Sequence, residues 1–241
     1  MGLARPRISL PTTRLPEPFV APVMLPDPLR LALALIPVGA YFVLIGLLNV
    51  RRRPFVTSGG SDLAALGAAA SGLVLVGPIE LFRPEAASIE FGNYVWLFLL
   101  VFYWLWVWLA VLLGRPRLVI YNISGEELRP LVAEAAREID PQSRWAGDSL
   151  ALPTLGVQLH LETWDVMRHA SLVSSGNRQS IDGWRQLSAA LRDRLGQLQV
   201  GRNPRAMGLL SVAAALIGVS IVHMLYHPQQ VAQAMQEMFN L

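Results

Sequence analysis

The sequence contains no cysteine and no lysine, so all 20 of its basic residues are arginine. Without cysteine, the chain forms no disulfide and offers no thiolate for a zinc site or for nucleophilic catalysis. Without lysine, it lacks the amine used in Schiff-base chemistry and in phosphate-binding loops. These absences exclude several classes of enzyme and metal site.

Charge is also scarce. Only 15% of the residues are charged and 53% are hydrophobic, whereas an ordinary soluble domain has about 25% charged residues. Residues 94–113 form a run of 20 without a single charge, and a helix of that length covers the roughly 30 Å of a bilayer core. We therefore expect a lipid bilayer as a partner. The net charge of +3 is too small to indicate nucleic-acid binding.

Four stretches have the length and composition of membrane-spanning helices. They are residues 31–50, 63–82, 94–113 and 206–226. Ala64, Ala68 and Gly72 recur at four-residue spacing in the second stretch, which predicts close packing against another helix, either within the chain or between copies. A homo-oligomer is therefore a further expectation.

Between the third and fourth stretches lies one polar segment, which predicts an inserted α+β domain with the order strand, helix, three strands, helix. Ser124 and Glu127 form a capping box that opens the first helix. The predicted strands are residues 118–121, 144–152, 157–163 and 166–174. The strand at 157–163 alternates apolar and polar residues. The last helix carries one apolar stripe, made of Ile181, Trp184, Leu187, Leu191, Leu195 and Leu198.

The fold class that follows is an integral membrane α-helical protein with four spans and a small inserted α+β domain. Its predicted parts are a proline-rich flexible tail at 1–29, three spans within 30–114, the domain at 115–205, the fourth span at 206–226 and an amphipathic C-terminal segment at 227–241. That last segment is expected to lie on the membrane surface, with docking onto the helices as the alternative.

Arginine placement predicts the orientation, because cytoplasmic span ends carry an excess of Arg and Lys. The ends on the side of the polar domain have Arg51, Arg52, Arg53, Arg115, Arg117, Arg202 and Arg205. The opposite ends have Arg30 and Arg83. We therefore expect a multi-pass protein of the cell membrane with its domain in the cytoplasm.

The triplet Arg51, Arg52 and Arg53 precedes a small polar loop and a predicted helix start, an arrangement that can hold a phosphate. Anionic lipid headgroups are the simpler ligand for arginines at a cytoplasmic span end. We favour the lipid interpretation, and extend it to Arg115 and Arg117 after the third span.

Two groups of ionisable residues are candidate sites. His160, Glu162, Asp165 and His169 form the densest set of metal-ligand residues, although a hydrated hairpin face explains their alternation equally well. Glu80, His223 and His227 lie near the outer ends of the second and fourth spans. Ionisable groups at membrane depth indicate a function by default, although residues this close to a span end can reach water.

The sequence contains none of the common catalytic or nucleotide-binding motifs, so we lean against an enzyme and expect no cofactor. The leading hypothesis is a membrane-tethered scaffolding or regulatory protein whose cytoplasmic domain binds a protein partner. A transporter or channel component that uses Glu80 with the two histidines is the alternative. A membrane-bound metal-dependent enzyme, using the set around His160, is the second alternative.

Overall fold

A computed structural model describes residues 27–79, 92, 94–176, 179–201 and 203–239. The α-helices of this part are α1 Pro28–Val50, α2 Gly59–Val74, α3 Tyr94–Leu113, α4 Gly125–Ile139, α5 Ile181–Gln197, α6 Arg205–Tyr226 and α7 Pro228–Phe239. A π-helical turn, Leu75–Ile79, continues α2. The strands are β1 Phe55–Ser58, β2 Arg117–Tyr121, β3 Arg144–Ala146, β4 Ser149–Leu152, β5 Val157–Trp164 and β6 His169–Ser174.

The prediction of four long apolar helices is confirmed for α1, α2 with its π-helical continuation, α3 and α6. Each is 19 to 23 residues long and has a mean hydropathy between 1.4 and 2.5, which is enough length and apolar character to span a membrane. The bounds of α3 coincide with the charge-free run. Pro37 lies inside α1 without ending it.

Helix α1 packs closely against α6 through two glycines. A Cβ at Gly39 would meet Ile217 Cγ1 at 2.6 Å, and a Cβ at Gly46 would meet Leu210 Cδ2 at 2.7 Å. Residues without a side chain allow two helix backbones to approach closely. The pairs repeat at seven-residue spacing on both helices, so the contact follows one face of each.

Helix α2 packs between α1 and α3. A Cβ at Gly72 would lie 1.8 Å from the carbonyl oxygen of Leu33 in α1, while the Tyr103 hydroxyl of α3 donates a hydrogen bond to the Gly67 carbonyl at 2.7 Å. The predicted stripe is therefore only partly correct. Gly72 lies at a helix contact, but Ala68 is exposed and the neighbouring positions Gly67 and Ala69 are buried instead.

The strands form one antiparallel sheet in the order β1-β2-β6-β5-β4-β3. Strand β1 lies in the connection between α1 and α2, where the sequence predicted only a loop, and it pairs with β2 so that Phe55 is opposite Tyr121 and Ser58 is opposite Leu118. The sheet therefore includes a strand from outside residues 115–205.

Two further strand predictions were wrong in detail. Residues 144–152 form two strands, β3 and β4, because the chain reverses at Gly147, which has a φ of 61°, a conformation that glycine adopts without strain. The last strand begins only at His169, because Asp165–Met167 forms a 3₁₀ turn and Arg168 is left-handed with a φ of 48°. The predicted alternation of β5 is confirmed, with Val157, Leu159 and Leu161 buried.

Helices α4 and α5 cover one face of this sheet. Ser124 and Glu127 make the predicted capping box at the start of α4. The shared core contains Leu128 and Val132 from α4, Trp184, Leu187, Leu191 and Leu195 from α5, and Ile120, Leu150, Leu159 and Leu172 from the strands. Ile181 is the exception in the predicted stripe of α5, since it is 67% exposed.

The other face of the sheet lies against the ends of the apolar helices. Val119 and Tyr121 of β2 are buried against Ile45 of α1, with Tyr41 and Leu209 packed beside them. The domain is therefore not suspended on linkers, because it shares a buried apolar contact with α1 and α6.

Helix α7 follows α6 after a single residue. Its Ala234 is buried, and the helix contacts α1 and α6. Gln230 and Gln233 lie beside Asp27, which caps the start of α1. Of the two expectations for the C-terminal segment, docking onto the helices agrees with these contacts.

Candidate functional site

A group of polar side chains lies where the domain meets the apolar helices. The Tyr121 hydroxyl of β2 donates a hydrogen bond to the carboxylate of Asp62, in the first turn of α2. Arg117 of β2 approaches the other oxygen of the same carboxylate at 3.4 Å. The Asp62 side chain is only 18% exposed, so a charged acceptor that has lost most of its water is satisfied by both donors.

His169 of β6 completes this group. It is the cross-strand partner of Tyr121, and the two ring centroids are 5.0 Å apart. Burial raises the pKa of Tyr121, and the neighbouring Asp62 carboxylate raises it further, so the tyrosine keeps its proton and acts as the donor. Burial lowers the pKa of His169; Asp62 opposes that shift and Arg117 adds to it. We call Asp62, Arg117, Tyr121 and His169 the junction cluster.

A second polar contact, at the same end of the helices, joins α1 to the residues just before α6. Asn203, just before α6, donates from Nδ2 to Oδ1 of Asn49 near the end of α1 at 3.1 Å, and Asn49 donates in turn to the Ile45 carbonyl at 2.9 Å. Both asparagines are buried. Buried polar atoms without partners are costly, and this bond satisfies one polar atom of each side chain.

Backbone contacts fix the connection between α1 and β1. The Arg51 carbonyl accepts a hydrogen bond from Asn122, and the Arg52 carbonyl accepts one from Val200 N at 2.9 Å. Asn122 is left-handed, with a φ of 62°, which is uncommon for a residue with a side chain. The connection is therefore held by two residues, Asn122 and Val200, which lie near the two ends of the domain sequence.

The arginine candidates have separate surroundings. All five are exposed, namely Arg51, Arg52, Arg53, Arg115 and Arg117. Arg117 differs in that it pairs with Asp62 and covers Gly59. At the start of α2, the Ser58 hydroxyl already accepts from Ser61 N at 3.1 Å. This helix start therefore has a side-chain cap of its own, and the lipid or phosphate interpretation of the triplet stays a prediction.

The four candidate metal ligands do not converge. His160 Nδ1 contacts the Ser149 hydroxyl at 3.1 Å, Asp165 accepts from Gly125 N at 3.0 Å, Glu162 lies on the same strand face as His160, opposite Ser171, and His169 belongs to the junction cluster. Within the described part of the chain, no three His, Asp or Glu residues are grouped so as to hold a metal ion.

His223 and His227 lie together at the far end of α6, with ring centroids 4.7 Å apart. His227 Nδ1 is 3.1 Å from the His223 carbonyl oxygen, and His223 Nε2 is buried without a hydrogen-bond partner among the described residues. Glu80, the third member of this predicted group, lies outside the described residues.

Sequence reasoning missed Asp62 and Tyr121, as well as the pair Asn49 and Asn203. Asp62 carried a usable signal, since it is the only charged residue between positions 54 and 79, and a lone carboxylate at the start of a span requires a partner. The chain matches no protein-family model, no curated protein and no solved structure.

Proposed function

We propose that this is an integral membrane protein in which four helices cross the bilayer and hold an α+β domain in a fixed orientation at the cytoplasmic surface, where the domain binds a protein partner. The observation that carries this proposal is the shared sheet. Strand β1 comes from the connection between two apolar helices and pairs along its whole length with β2 of the domain.

The surface of α3 supports membrane insertion. Only 6% of the residues in its most apolar stretch are buried. The side chains of Phe102, Leu105 and Trp106 are each about 60% exposed. A continuous apolar surface of this extent is unfavourable in water, and lipid removes that cost. The arginines at the domain end of the helices support the cytoplasmic orientation.

The rigid attachment supports a scaffolding function rather than a simple anchor. A tether needs one flexible connection, but here β1, the junction cluster and the hydrogen bonds to the Arg51 and Arg52 carbonyls each join the domain to the helices. Three attachments restrict rotation of the domain, so a partner bound to it would have a defined position relative to the membrane.

The surface available to a partner is the outer side of α4 and α5, because the sheet covers their inner side. These helices are joined by Arg194, whose Nη1 lies 2.9 Å from Glu134 Oε2. Three further charged residues of the same helices are exposed, namely Arg137, Arg192 and Asp193. We define this outer side as the platform.

Photo-crosslinking in cells tests the proposal on the full-length protein. A photoreactive residue at Arg192 on the platform should give a discrete adduct with another protein, and the same residue at Gln230 in α7 is the control, since it is exposed at the opposite end of the helices. Absence of an adduct at Arg192, or the same adducts at both positions, would contradict a platform-specific partner.

Sidedness has a separate test, made simple by the absence of cysteine. In intact cells, a membrane-impermeant thiol reagent should label Gln230→Cys and should label Arg192→Cys only after the membrane is opened. The reverse pattern would place the domain outside the cytoplasm. Equal labelling in intact cells would contradict four alternating spans.

A transporter or channel component is the second candidate. The observation that favours it is that His223 Nε2 is buried and has no hydrogen-bond partner in the part of the chain that the structure describes. Ionisable groups within apolar helices often line a proton or ion path. His223→Gln should abolish flux in a vesicle assay if this candidate is correct, and should leave platform crosslinking unchanged if the protein is a scaffold. A metal-dependent enzyme is not proposed, because its four candidate ligands do not converge.

A further inference from the structure

We propose that the turn formed by Trp164, Val166 and Met167 inserts into the headgroup region of the bilayer and holds the domain against the membrane surface. We call these three residues the apolar turn. This inference rests on the proposed membrane insertion of the four helices, and it adds a lipid-binding surface on the domain itself.

The apolar turn is exposed although its side chains are large. Trp164 and Val166 are each 65% exposed and Met167 is 42% exposed. On the same strand, Leu159 and Leu161 are almost fully buried. Three neighbouring apolar side chains on one turn form a local patch of the kind that marks contact with a membrane or another protein.

The polar residues of this segment are turned toward the domain. Asp165 accepts from Gly125 N at the start of α4, at 3.0 Å, and Arg168 pairs with Glu127 at 3.0 Å. The usual polarity of a surface turn is therefore inverted, with its charged groups bound to the protein and its apolar groups pointing outward. The left-handed backbone of Arg168 helps to fix this arrangement, so the apolar residues are already oriented for insertion.

Two contacts place the apolar turn beside the membrane-spanning helices. Arg205, the first residue of α6, donates from Nη1 to the Val166 carbonyl. Trp164 is also the cross-strand partner of His169, which is the partner of Tyr121. Directly paired residues lie on the same face of a sheet, so Trp164 projects from the face that rests on the helices.

Lipid is the occupant that these contacts favour. A turn bound to the first residue of a span lies at the level where that span leaves the hydrocarbon core, and this is the region where tryptophan is enriched. Arg205 and the exposed Arg115 bring positive charge to the same end of the helices, which suits anionic headgroups. A protein partner or a second copy of the chain is instead an outcome of the test.

The test uses single cysteines labelled with an environment-sensitive fluorophore, introduced into the full-length, naturally cysteine-free chain. Val166→Cys and Met167→Cys report on the apolar turn. Ile181→Cys is the matched control, because Ile181 is 67% exposed and follows Ser180, whose N–H donates to the Gly156 carbonyl at 3.0 Å. Gly156 directly precedes β5, whose first residue lies about 23 Å along the strand from Trp164. Leu105→Cys, in the middle of α3, reports on insertion of the helices.

The labelled proteins are reconstituted into vesicles of phosphatidylcholine and phosphatidylglycerol that contain nitroxide lipids. We expect a headgroup nitroxide to quench the labels at 166 and 167 strongly and a deep acyl nitroxide to quench them weakly. The label at 105 should show the opposite preference, and the label at 181 should be quenched by neither. Two reporter positions guard against perturbation by the dye at one of them.

Each failure has its own meaning. If the label at 105 is quenched but those at 166 and 167 are not, the apolar turn does not insert, although the helices do. If the label at 105 is not quenched, the proposed membrane insertion fails as well. If the labels at 166 and 167 are not quenched by lipid but crosslink to a second copy, protein covers the apolar turn and the lipid proposal is wrong.

Discussion

The hydroxyl of Tyr121 donates a hydrogen bond to the carboxylate of Asp62, which joins strand β2 of the domain to the first turn of helix α2. The two residues are 59 positions apart in the sequence. The bond therefore joins segments that only the tertiary fold brings together, at the surface where the domain meets the apolar helices.

Replacing Tyr121 with Phe tests how much this bond stabilises the junction. The ring stays in its buried site, but among the described residues Asp62 keeps only Arg117 as a side-chain donor. A hydrogen bond to a charged group contributes about 1.5–3 kcal/mol, so we expect the free energy of unfolding to fall by that amount in detergent-induced unfolding of the purified protein. Tyr226→Phe is the control, because Tyr226 is 79% exposed. Equal stability of the two variants would contradict a stabilising role for the bond.

The pair of Asn49 and Asn203 is suited to a double-mutant cycle. Either single change to alanine leaves a buried amide without its partner, which costs about 1–3 kcal/mol. The double variant removes both amides, so its loss of stability should be clearly smaller than the sum of the two single losses. Additive losses in the same unfolding assay would show that the two side chains do not depend on each other.

Packing of α1 against α2 depends on the absence of a side chain at Gly72. Because a Cβ there would lie 1.8 Å from the Leu33 carbonyl oxygen, Gly72→Ala must push the helix backbones apart, at a cost of about 1–3 kcal/mol. Gly218→Ala in α6 is the matched control, since nothing lies within 4 Å of a Cβ at Gly218, and alanine favours a helix by up to about 1 kcal/mol. If both variants unfold alike, close packing at Gly72 is not needed.

The parts of the fold that could be predicted are those whose signal is local. The charge-free run gave the bounds of α3, the capping box gave the start of α4, and period-two alternation gave β5. Strand β1 could not be predicted in this way, because Phe55–Ser58 is only four residues long and acquires its identity by pairing with β2. The hairpin of β3 and β4 was different, since Gly147 and Asp148 form a two-residue turn signal that was available in the sequence.

The candidate site followed the same division. Arg117 and His169 were each selected from the sequence, one as a lipid contact and the other as a metal ligand. Their surroundings could not be inferred, because the carboxylate that pairs with Arg117 lies in α2, and the tyrosine that contacts His169 belongs to a strand predicted only as apolar. Local patterns identify which residues can carry chemistry, whereas strand pairing decides which of them meet.

His169 should make stability depend on pH in a defined direction. Burial lowers its pKa in the folded protein, and Arg117 adds to this effect while Asp62 opposes it, so the unfolded chain takes up a proton at a higher pH than the folded one. The contribution of His169 is therefore complete above its unfolded pKa of about 6.5 and is lost as the pH falls through the folded value. We expect the unfolding midpoint to drop between about pH 7.5 and about pH 5.5.

Two variants assign that drop to His169. His169→Gln should unfold with a smaller difference between the two pH values, because it has no imidazole to protonate. Arg117→Gln should also reduce the difference, because it removes the positive charge that disfavours protonation of the neighbouring imidazole. If the wild-type difference persisted in both variants, the pH dependence would arise from groups other than His169, and protonation of His169 would not weaken the contact between the domain and the helices.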